Sequence, residues 1–151
     1  MALSIASERP GTQVVATDIS KAALAVASRN AKSLGLAERV TFLEGDLFDT
    51  VTGALFDLVV SNPPYIGRSE ADSLEPELEH EPKEALFGGD DGLDVIRALV
   101  AGVSEHLVPG GRVAIEIDPR QEAATREFFQ RAGLSNFETL RDLSKRSRVA
   151  T

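Results

Sequence analysis

The sequence predicts an α/β protein built on a doubly wound, mostly parallel β-sheet. Three observations support this prediction. Short apolar runs rich in β-branched residues alternate with segments of helical length and periodicity. The turns that join them are short and contain glycine, proline or serine. No internal repeat, low-complexity tract or linker interrupts the alternation, so residues 1–151 are expected to form a single domain.

The first third of the chain contains two predicted helices and two predicted strands. They are the end of a helix over residues 1–7, a strand over 13–17 closed by Asp18, a helix over 22–34 and a strand over 39–43. Ser20 is of a residue type favoured at a helix N-cap, and Gly35 suits the position that ends a helix. The apolar composition of the strands is typical of buried parallel strands.

The remaining two thirds continue the alternation. The predicted elements are a strand over 55–61, a helix over 92–107, a strand over 112–117, a helix over 121–132, and two short final strands over 137–140 and 146–151. Residues 109–111, Pro-Gly-Gly, are predicted to form a turn. Residues 62–91 contain four prolines and no strong periodicity, which indicates a functional segment or a lid. Within that segment a helical turn is expected over 74–80.

The composition argues against several classes of function. The net charge is −8, so direct binding to duplex nucleic acid is not expected. The basic cluster over 141–148 is interpreted as a solvated strand edge, with contact to an RNA or an acidic partner as the alternative. The chain has no cysteine, and both His80 and His106 are expected at the surface, so no metal site is predicted. No apolar stretch approaches the roughly 18 residues of a membrane span, and no signal peptide is recognisable. A soluble, cytoplasmic protein is therefore expected.

The segment with the most chemical content is residues 61–65, Ser-Asn-Pro-Pro-Tyr, at the end of the third predicted strand. The two prolines have fixed φ angles and no N–H group, so the loop is stiff and its carbonyl oxygens are free to accept hydrogen bonds. The side chain of Asn62 and the ring of Tyr65 complete a surface suited to a planar amino group. In open α/β sheets, ligands bind at this end of the strands. The alternative is a Pro-rich turn in which Asn62 is a cap and Tyr65 packs.

Two acidic residues follow the first two predicted strands. Asp18 stands where an acid commonly accepts hydrogen bonds from both ribose hydroxyls of a nucleotide cofactor. Asp46 could accept the amino hydrogens of an adenine ring, against which Leu47 could pack. The alternatives are that Asp18 caps the following helix and that Asp46 is a turn residue beside Gly45. Together with Asn62, these acids place polar side chains after three successive strands.

The chain resembles the HemK-like methyltransferases, which modify the side-chain nitrogen of a glutamine in peptide release factors. The resemblance extends over nearly the whole chain. The segments that carry it are Thr17–Ser20, Glu44–Phe48, Ser61–Ile66, Glu81–Pro82, Ala85–Leu93, Leu107–Gly111, Glu116–Ile117 with Gln121, and Asp142–Leu143. The Asn-Pro-Pro-Tyr motif is shared with many amino methyltransferases, whereas the segment from Glu81 to Leu93 is more specific to this family.

The resemblance implies a Rossmann-like class I methyltransferase fold that uses S-adenosyl-L-methionine, with a peptide chain release factor as the protein substrate. It implies catalytic roles for Asn62, Pro63 and Tyr65. The residues implied to contact the cofactor are Asp18, Ile19, Asp46, Leu47 and Asn62. The residues implied to contact the substrate are Asn62, Pro63, Pro64, Tyr65, Glu81 and Pro82.

The sequence departs from the family pattern in two places. A glycine-rich cofactor loop is expected roughly 20 residues before the ribose acid, but no Gly-x-Gly precedes Gly11. The first strand, the glycine loop and the family's N-terminal helical domain are therefore expected to be missing. Loss of that strand would leave strands 13–18 and 55–61 without a shared neighbour, and would weaken stability and cofactor binding. The second departure is that residues 142–148 lack the usual turn glycine, which puts the last hairpin in question.

Two other functions remain open at this point. An N6-adenine methyltransferase acting on DNA or RNA could use the same loop, although the acidic charge disfavours it. A non-catalytic remnant of the methyltransferase fold would also explain the missing glycine loop. Methyl transfer to a release factor or to an oligonucleotide separates the first two, and binding of S-adenosylmethionine tests the third.

Overall fold

The computed structural model describes residues 1–73 and 81–151, without the side chains of residues 72 and 73. The helical turn expected over 74–80 lies outside the described residues. The chain divides into two compact units, Met1–Thr52 and Gly53–Thr151. The single domain expected over residues 1–151 stays a prediction.

The first unit is a two-stranded parallel sheet with two helices. Its elements are α1 (Ala2–Glu8), β1 (Val14–Asp18), α2 (Lys21–Ser33) and β2 (Val40–Glu44). Val14 of β1 lies opposite Val40 of β2, and Asp18 lies opposite Glu44. A small apolar core holds the unit together; its members are Ala2, Leu3, Ala6, Val14, Leu36, Val40 and Phe42.

Both predicted ends of the second helix are confirmed. The hydroxyl oxygen of Ser20 accepts a hydrogen bond from the backbone N–H of Ala23 at 3.2 Å, as an N-cap does. Gly35 follows the helix with a φ of +69°, and the next N–H, of Leu36, donates to the carbonyl of Ala31 at 2.8 Å. Only glycine adopts this backbone without strain, so the helix ends there.

Among its described residues, the second unit contains four strands and three α-helices. Its elements are β3 (Phe56–Ser61), α3 (Lys83–Leu86), α4 (Asp94–Val103), β4 (Leu107–Glu116), α5 (Glu122–Arg131), β5 (Thr139–Arg141) and β6 (Ser147–Ala150), with 3₁₀ turns at Arg68–Ser73, Ser104–His106 and Pro119–Gln121. The sheet order is β3-β4-β6-β5, with β3 and β4 parallel and the other pairs antiparallel. Apolar side chains of α4, β4 and α5 are fully buried; they include Ile96, Val100, Val103, Ile115 and Phe129.

The fourth strand begins five residues earlier than expected. Leu107 pairs with Phe56, but the next pair joins Arg112 to Leu58, so residues 108–111 form a bulge against a single residue of β3. Gly110 has a φ of +81° within this bulge. The predicted Pro-Gly-Gly turn is therefore present, but it interrupts a strand instead of preceding one.

Two details of this region correct the sequence-based expectations. The α-helix predicted to reach residue 107 ends at Val103, because a 3₁₀ turn over Ser104–His106 leads directly into β4. His106 was expected at the surface, but it is only 8 % exposed, and its Nδ1 lies 3.1 Å from the carbonyl oxygen of Ala54. A hydrogen bond to the backbone satisfies the buried ring. His80 lies outside the described residues.

The described strands fall into two separate sheets, and β1 and β3 share no neighbouring strand, as expected from the sequence. Two apolar side chains of these strands are correspondingly open to solvent: Val15 is 40 % exposed and Leu58 is 49 % exposed. Interior strands of a parallel sheet usually bury such residues.

The final hairpin forms without a turn glycine. Lys145 adopts the left-handed conformation, with a φ of +64°, that glycine would otherwise provide. Its N–H donates to the carbonyl of Asp142 at 2.9 Å, and the N–H of Asp142 donates to the carbonyl of Arg146 at 2.9 Å. These bonds close the turn between β5 and β6.

Within residues 1–73 and 81–151, every helix is too short or too polar to cross a bilayer. The same ranges contain no group of three or more His, Asp or Glu side chains placed to hold a metal ion.

Candidate functional site

Both predicted cofactor acids lie after strands of the first unit. Asp18 is the last residue of β1, and Asp46 follows the end of β2 by two residues. The backbone N–H of Gly45 donates to the carbonyl of Asp18 at 3.1 Å, which extends the parallel pairing to the ends of both strands. Both carboxylates are exposed. The structure therefore brings the two acids to the same edge of one sheet.

Asp18 does not cap the following helix, because Ser20 occupies that position. Instead, Oδ1 of Asp18 accepts a hydrogen bond from the N–H of Ser20 at 2.8 Å, which fixes the direction of the carboxylate. Neither Oδ2 of Asp18 nor the carboxylate of Asp46 has a hydrogen-bond partner within the described ranges. Ile19, which the resemblance also implied, is 54 % exposed beside Asp18. As far as the described residues show, these groups are available to contact a ligand.

The backbone at Leu47 is strained. This residue has a φ of +41°, which is unusual for a branched side chain and recurs at ligand-binding sites. The hydroxyl of Thr17 donates to the carbonyl oxygen of Leu47 at 3.1 Å, and the N–H of Asp49 donates to the carbonyl of Asp46 at 2.9 Å. In the sequence, the only signal for a role of Thr17 is its adjacency to Asp18. Thr17 thus ties the end of β1 to the loop after β2.

The predicted loop of the second unit directly follows β3, whose last residue, Ser61, lies opposite Ile115 of β4. Asn62 is exposed, Pro63 is buried, and Tyr65 is half-buried. The side-chain amide of Asn62 has no hydrogen-bond partner within the described part of the chain. A buried proline therefore anchors the loop while the neighbouring amide remains available.

The backbone after the loop pairs with the glycine-rich segment over residues 86–92. The N–H of Ile66 donates to the carbonyl of Leu86 at 3.0 Å, and the N–H of Gly88 donates to the carbonyl of Ile66 at 3.0 Å. A further bond joins the N–H of Arg68 to the carbonyl of Gly89 at 3.0 Å. The isolated parallel bridge between Ile66 and Phe87 is part of the same pairing. The family-specific segment is thus held directly beside the Asn-Pro-Pro-Tyr loop.

Two glycines of that segment are required by their closeness to the loop. A Cβ atom on Gly88 would collide with the carbonyl oxygen of Pro64. A Cβ atom on Gly92, which has a φ of +74°, would collide with the carbonyl oxygen of Tyr65. Any larger residue would push the loop away or be pushed out itself.

Gln121 joins three backbone segments through one side chain. Its Nε2 donates to the carbonyl of Tyr65 at 3.1 Å and to the carbonyl of Gly92 at 2.9 Å. Its Oε1 accepts from the N–H of Asp118 at 3.1 Å. Gln121 is 7 % exposed. The sequence pointed to Gln121 as part of the resemblance but gave no function for it.

Three charged residues hold the turn that follows the loop. Glu70 accepts hydrogen bonds from the N–H of Gly67 at 3.3 Å and from Nη1 of Arg120 at 2.8 Å. Nε of Arg120 also donates to Oδ1 of Asp118 at 2.8 Å. The hydrogen bonds from Arg120 lower the pKa of both Glu70 and Asp118 below their ordinary values, and they raise the pKa of Arg120. Both acids therefore keep their charge to a lower pH than they would without Arg120.

The two other predicted substrate residues lie at the surface. Glu81 and Pro82 are exposed and precede α3, and the carbonyl of Pro82 accepts from the N–H of Ala85 at 2.9 Å. No hydrogen bond or ion pair between described residues joins Glu81 or Pro82 to the loop over 62–65. The predicted site residues thus fall into two groups: Asp18, Ile19, Asp46 and Leu47 in the first unit, and Asn62–Tyr65 with Glu81 and Pro82 in the second.

The parallel pairing of β1 with β2 and of β3 with β4, with helices between the strands, is typical of a class I methyltransferase fold. A solved methyltransferase from Pyrococcus furiosus shares this fold, with a TM-score of 0.72 at 20 % identity over 98 % of this chain and 65 % of that one. The chain belongs to the methyltransferase small domain family, which residues 1–90 match.

Comparison with curated sequences identifies more specific relatives within this class of proteins. A protein from Xylella fastidiosa named release factor glutamine methyltransferase is 47 % identical over 149 residues, which are 99 % of this chain and 54 % of the relative. A protein of the same name from Cereibacter sphaeroides is 43 % identical over 152 residues, covering 100 % of this chain and 54 % of the relative. The resemblance to this family is confirmed, and the chain spans about half the length of the curated relatives it matches.

Proposed function

We propose that this chain carries the cofactor and acceptor sites of an enzyme that methylates the side-chain amide of a glutamine in a peptide chain release factor. The observation that carries the proposal is the exposed amide of Asn62, which has no hydrogen-bond partner among the described residues, on a loop whose neighbouring proline is buried. The names of relatives at 43 and 47 % identity support this choice of acceptor.

In this proposal the loop holds the glutamine amide. The Asn62 side-chain oxygen and the Pro63 carbonyl oxygen accept its two N–H groups, and the ring of Tyr65 packs on its flat face. An amide nitrogen is a weak nucleophile because its lone pair is delocalised. Acceptors on both hydrogens orient the nitrogen and stabilise positive charge that develops there during transfer.

The acids of the first unit hold the cofactor in the same proposal. The exposed carboxylates of Asp18 and Asp46 suit the ribose hydroxyls and the adenine amino group, with apolar contacts from Ile19 and Leu47. When bound, S-adenosylmethionine supplies a sulfonium methyl group, whose bond to sulfur breaks as the bond to nitrogen forms and an amide proton leaves to water. The family resemblance implies that Asn62 would contact the cofactor as well as the glutamine amide.

The surface beyond the loop would contact the rest of the protein substrate. Pro64 continues the loop, while Glu81 and Pro82 lie exposed at the start of α3. Exposed residues next to a rigid acceptor site are suited to reading the peptide around the glutamine.

The test is methyl transfer from radiolabelled S-adenosylmethionine. The protein assayed has the full length of the curated relatives and contains the residues described here (the full-length enzyme). A release factor and a matched oligonucleotide are offered in parallel. The expected result is label on the release factor, recovered on one glutamine and lost when that glutamine is replaced by asparagine. Label on the oligonucleotide alone would support the adenine alternative, and absence of transfer together with absence of cofactor binding would support the non-catalytic one.

A further inference from the structure

The amide of Gln121 uses all of its hydrogen-bonding groups inside the second unit. Both hydrogens on Nε2 are directed to carbonyl oxygens, one of Tyr65 and one of Gly92, and Oε1 receives the N–H of Asp118. The partners fix the orientation of the amide, because only its oxygen can accept from an N–H and only its nitrogen can donate to carbonyls. A buried polar group satisfied in this way specifies one arrangement of the segments that it joins.

The loop needs a donor from outside itself. Pro63 and Pro64 have no N–H, so this part of the loop offers carbonyl oxygens but few donors. The carbonyl of Tyr65 receives its hydrogen bond from Gln121, and no backbone donor to it is found between the described residues. Gly92 lies so close to the same carbonyl oxygen that a Cβ atom on it would collide with that oxygen. The direction of the Tyr65 peptide unit is therefore set by a residue 56 positions later in the chain.

We infer that Gln121 is a positioning residue that holds the loop over residues 62–65 in its acceptor-binding conformation by fixing the Tyr65 carbonyl against Gly92. As a role in methyl transfer, this inference rests on the proposed function. Gln121 itself contacts neither ligand in the proposal. The side chain of Gln121 makes its hydrogen bonds to Tyr65, Gly92 and Asp118, not to the proposed cofactor residues. Its substitution is therefore expected to change turnover without changing cofactor affinity.

The chain offers a direct reporter for this inference. Tyr65 is its only tyrosine, and tryptophan is absent, so intrinsic fluorescence comes from the loop. The experiment compares acrylamide quenching in the unmodified chain, in Gln121→Met and in Gln130→Met. Gln130 lies on α5, is exposed, and donates no side-chain hydrogen bond to a described residue. Its replacement by methionine, as at Gln121, is therefore a matched control.

The expected result is a loop-open population about fivefold to tenfold larger in Gln121→Met, seen as stronger quenching, and unchanged quenching in Gln130→Met. Circular dichroism checks that both variants retain their helices. In the active full-length enzyme, Gln121→Met lowers kcat and leaves the Kd for S-adenosylmethionine unchanged. Equal quenching of Tyr65 in all three folded proteins would overturn the inference.

A second measurement needs no substitution and remains decisive if Gln121→Met does not fold. Side-chain amide hydrogens of the unmodified chain are followed by NMR during exchange into heavy water. Those of Gln121 are expected to exchange at least about tenfold more slowly than those of Gln130, because two hydrogen bonds and burial protect them. Equal exchange would exclude the positioning role of Gln121. A protected Gln121 in a protein that never methylates a release factor would reject the proposed function but would leave the structural role of Gln121 standing.

Discussion

The two groups of candidate residues are supported in opposite ways. The acids of the first unit are exposed, and apart from the Asp18 bond to the N–H of Ser20 their carboxylate oxygens are free among the described residues. The loop of the second unit is fixed by a buried proline, two close-packed glycines and the amide of Gln121. The first arrangement leaves side chains available, and the second leaves almost no freedom in the backbone.

This difference matches what each group is proposed to do. A nucleoside has many polar atoms, so several independent contacts can share the task of binding it. A glutamine amide must present one nitrogen in one direction, and small misplacements are costly in rate. Rigidity is therefore concentrated where alignment decides the outcome.

The largest expected effect is on turnover and comes from substituting Asn62 in the rigid loop. In the active full-length enzyme, Asn62→Ala should lower kcat by about 10²- to 10³-fold, the loss typical of removing one preorganised group in a transition state. The Kd for S-adenosylmethionine should change much less, because the acids still hold the nucleoside. Single-turnover kinetics and calorimetry measure the two quantities. Asn30→Ala, at an exposed site on α2, is the control, and wild-type turnover by Asn62→Ala would refute the assigned role.

The next effect tests the packing beneath the loop. Gly92→Ala combines an unfavourable positive φ with a collision at the Tyr65 carbonyl, so it should lower the free energy of unfolding by about 3 kcal/mol. Gly133→Ala is a matched control, because Gly133 has a φ of +73° but nothing within 4 Å of its added Cβ. It should cost only about 1 kcal/mol. Urea denaturation compares them, and similar midpoints would show that the contact is unimportant.

A smaller effect is expected at the acids. Asp18→Asn keeps the acceptor for the Ser20 N–H but removes the charge offered to the ribose, so the Kd for S-adenosylmethionine should rise about tenfold in the full-length enzyme. The unfolding midpoint should hardly move. Asp49→Asn, at another exposed position of the same unit, should leave the Kd as it was. An unchanged Kd for Asp18→Asn would remove Asp18 from the cofactor site.

Thr17 tests whether the first unit also has a fixed backbone, because its hydroxyl donates to the carbonyl oxygen of Leu47. Thr17→Val preserves the shape but deletes the donor to the Leu47 carbonyl, which should cost about 1 kcal/mol of stability. Thr41→Val, at an exposed position of β2, should cost nothing or stabilise slightly. Thermal unfolding gives the melting temperature of each variant. Equal melting temperatures would indicate that the hydrogen bond from Thr17 to Leu47 does not contribute to stability.

The smallest effect concerns pH. Glu70 and Asp118 have pKa values below the ordinary 4.5 and 3.8 because Arg120 donates to them. A carboxylate with a lowered folded-state pKa contributes stability above its unfolded pKa and loses it as the pH falls through the folded value. Stability of the second unit should therefore decline below about pH 4.5.

Arg120→Met tests the origin of that decline. Because the pair Arg120–Glu70 is substantially solvent-exposed, the substitution should cost no more than about 1 kcal/mol at pH 7. It should also flatten the acid limb of a plot of unfolding free energy against pH. An acid limb identical to that of the unmodified chain would assign the decline to other carboxylates.

The sequence predicted most elements because local patterns determine them. The N-cap at Ser20, the helix stop at Gly35 and the strand that leads into Asn62 all follow from residue type and periodicity. The site acids were found because strands of a parallel sheet end at a common edge. Errors arose where long-range pairing decides the outcome. The bulge in β4 depends on pairing with β3, and the burial of His106 depends on the carbonyl of Ala54.

The support of the loop could not be predicted for the same reason. Gly92 and Gln121 lie 29 positions apart, and both are far in sequence from Tyr65. A single sequence identifies them as a glycine and a glutamine in family-like segments, but nothing local indicates that they meet at one carbonyl oxygen. The hairpin without a turn glycine shows the converse, because the pairing of β5 with β6 places Lys145 in a conformation that its own preferences disfavour.

The close contacts of Gly88 and Gly92 have a practical consequence for protein engineering. A tetrapeptide grafted alone onto another parallel sheet would carry the reactive groups without the surface that shapes them. A portable version of this acceptor site comprises three separate stretches: the Asn-Pro-Pro-Tyr loop, the glycine-rich segment over residues 86–92 beside it, and the 3₁₀ turn before α5 that contains Gln121. All three stretches have to be transplanted together, and a change in one of them requires matching changes in the others.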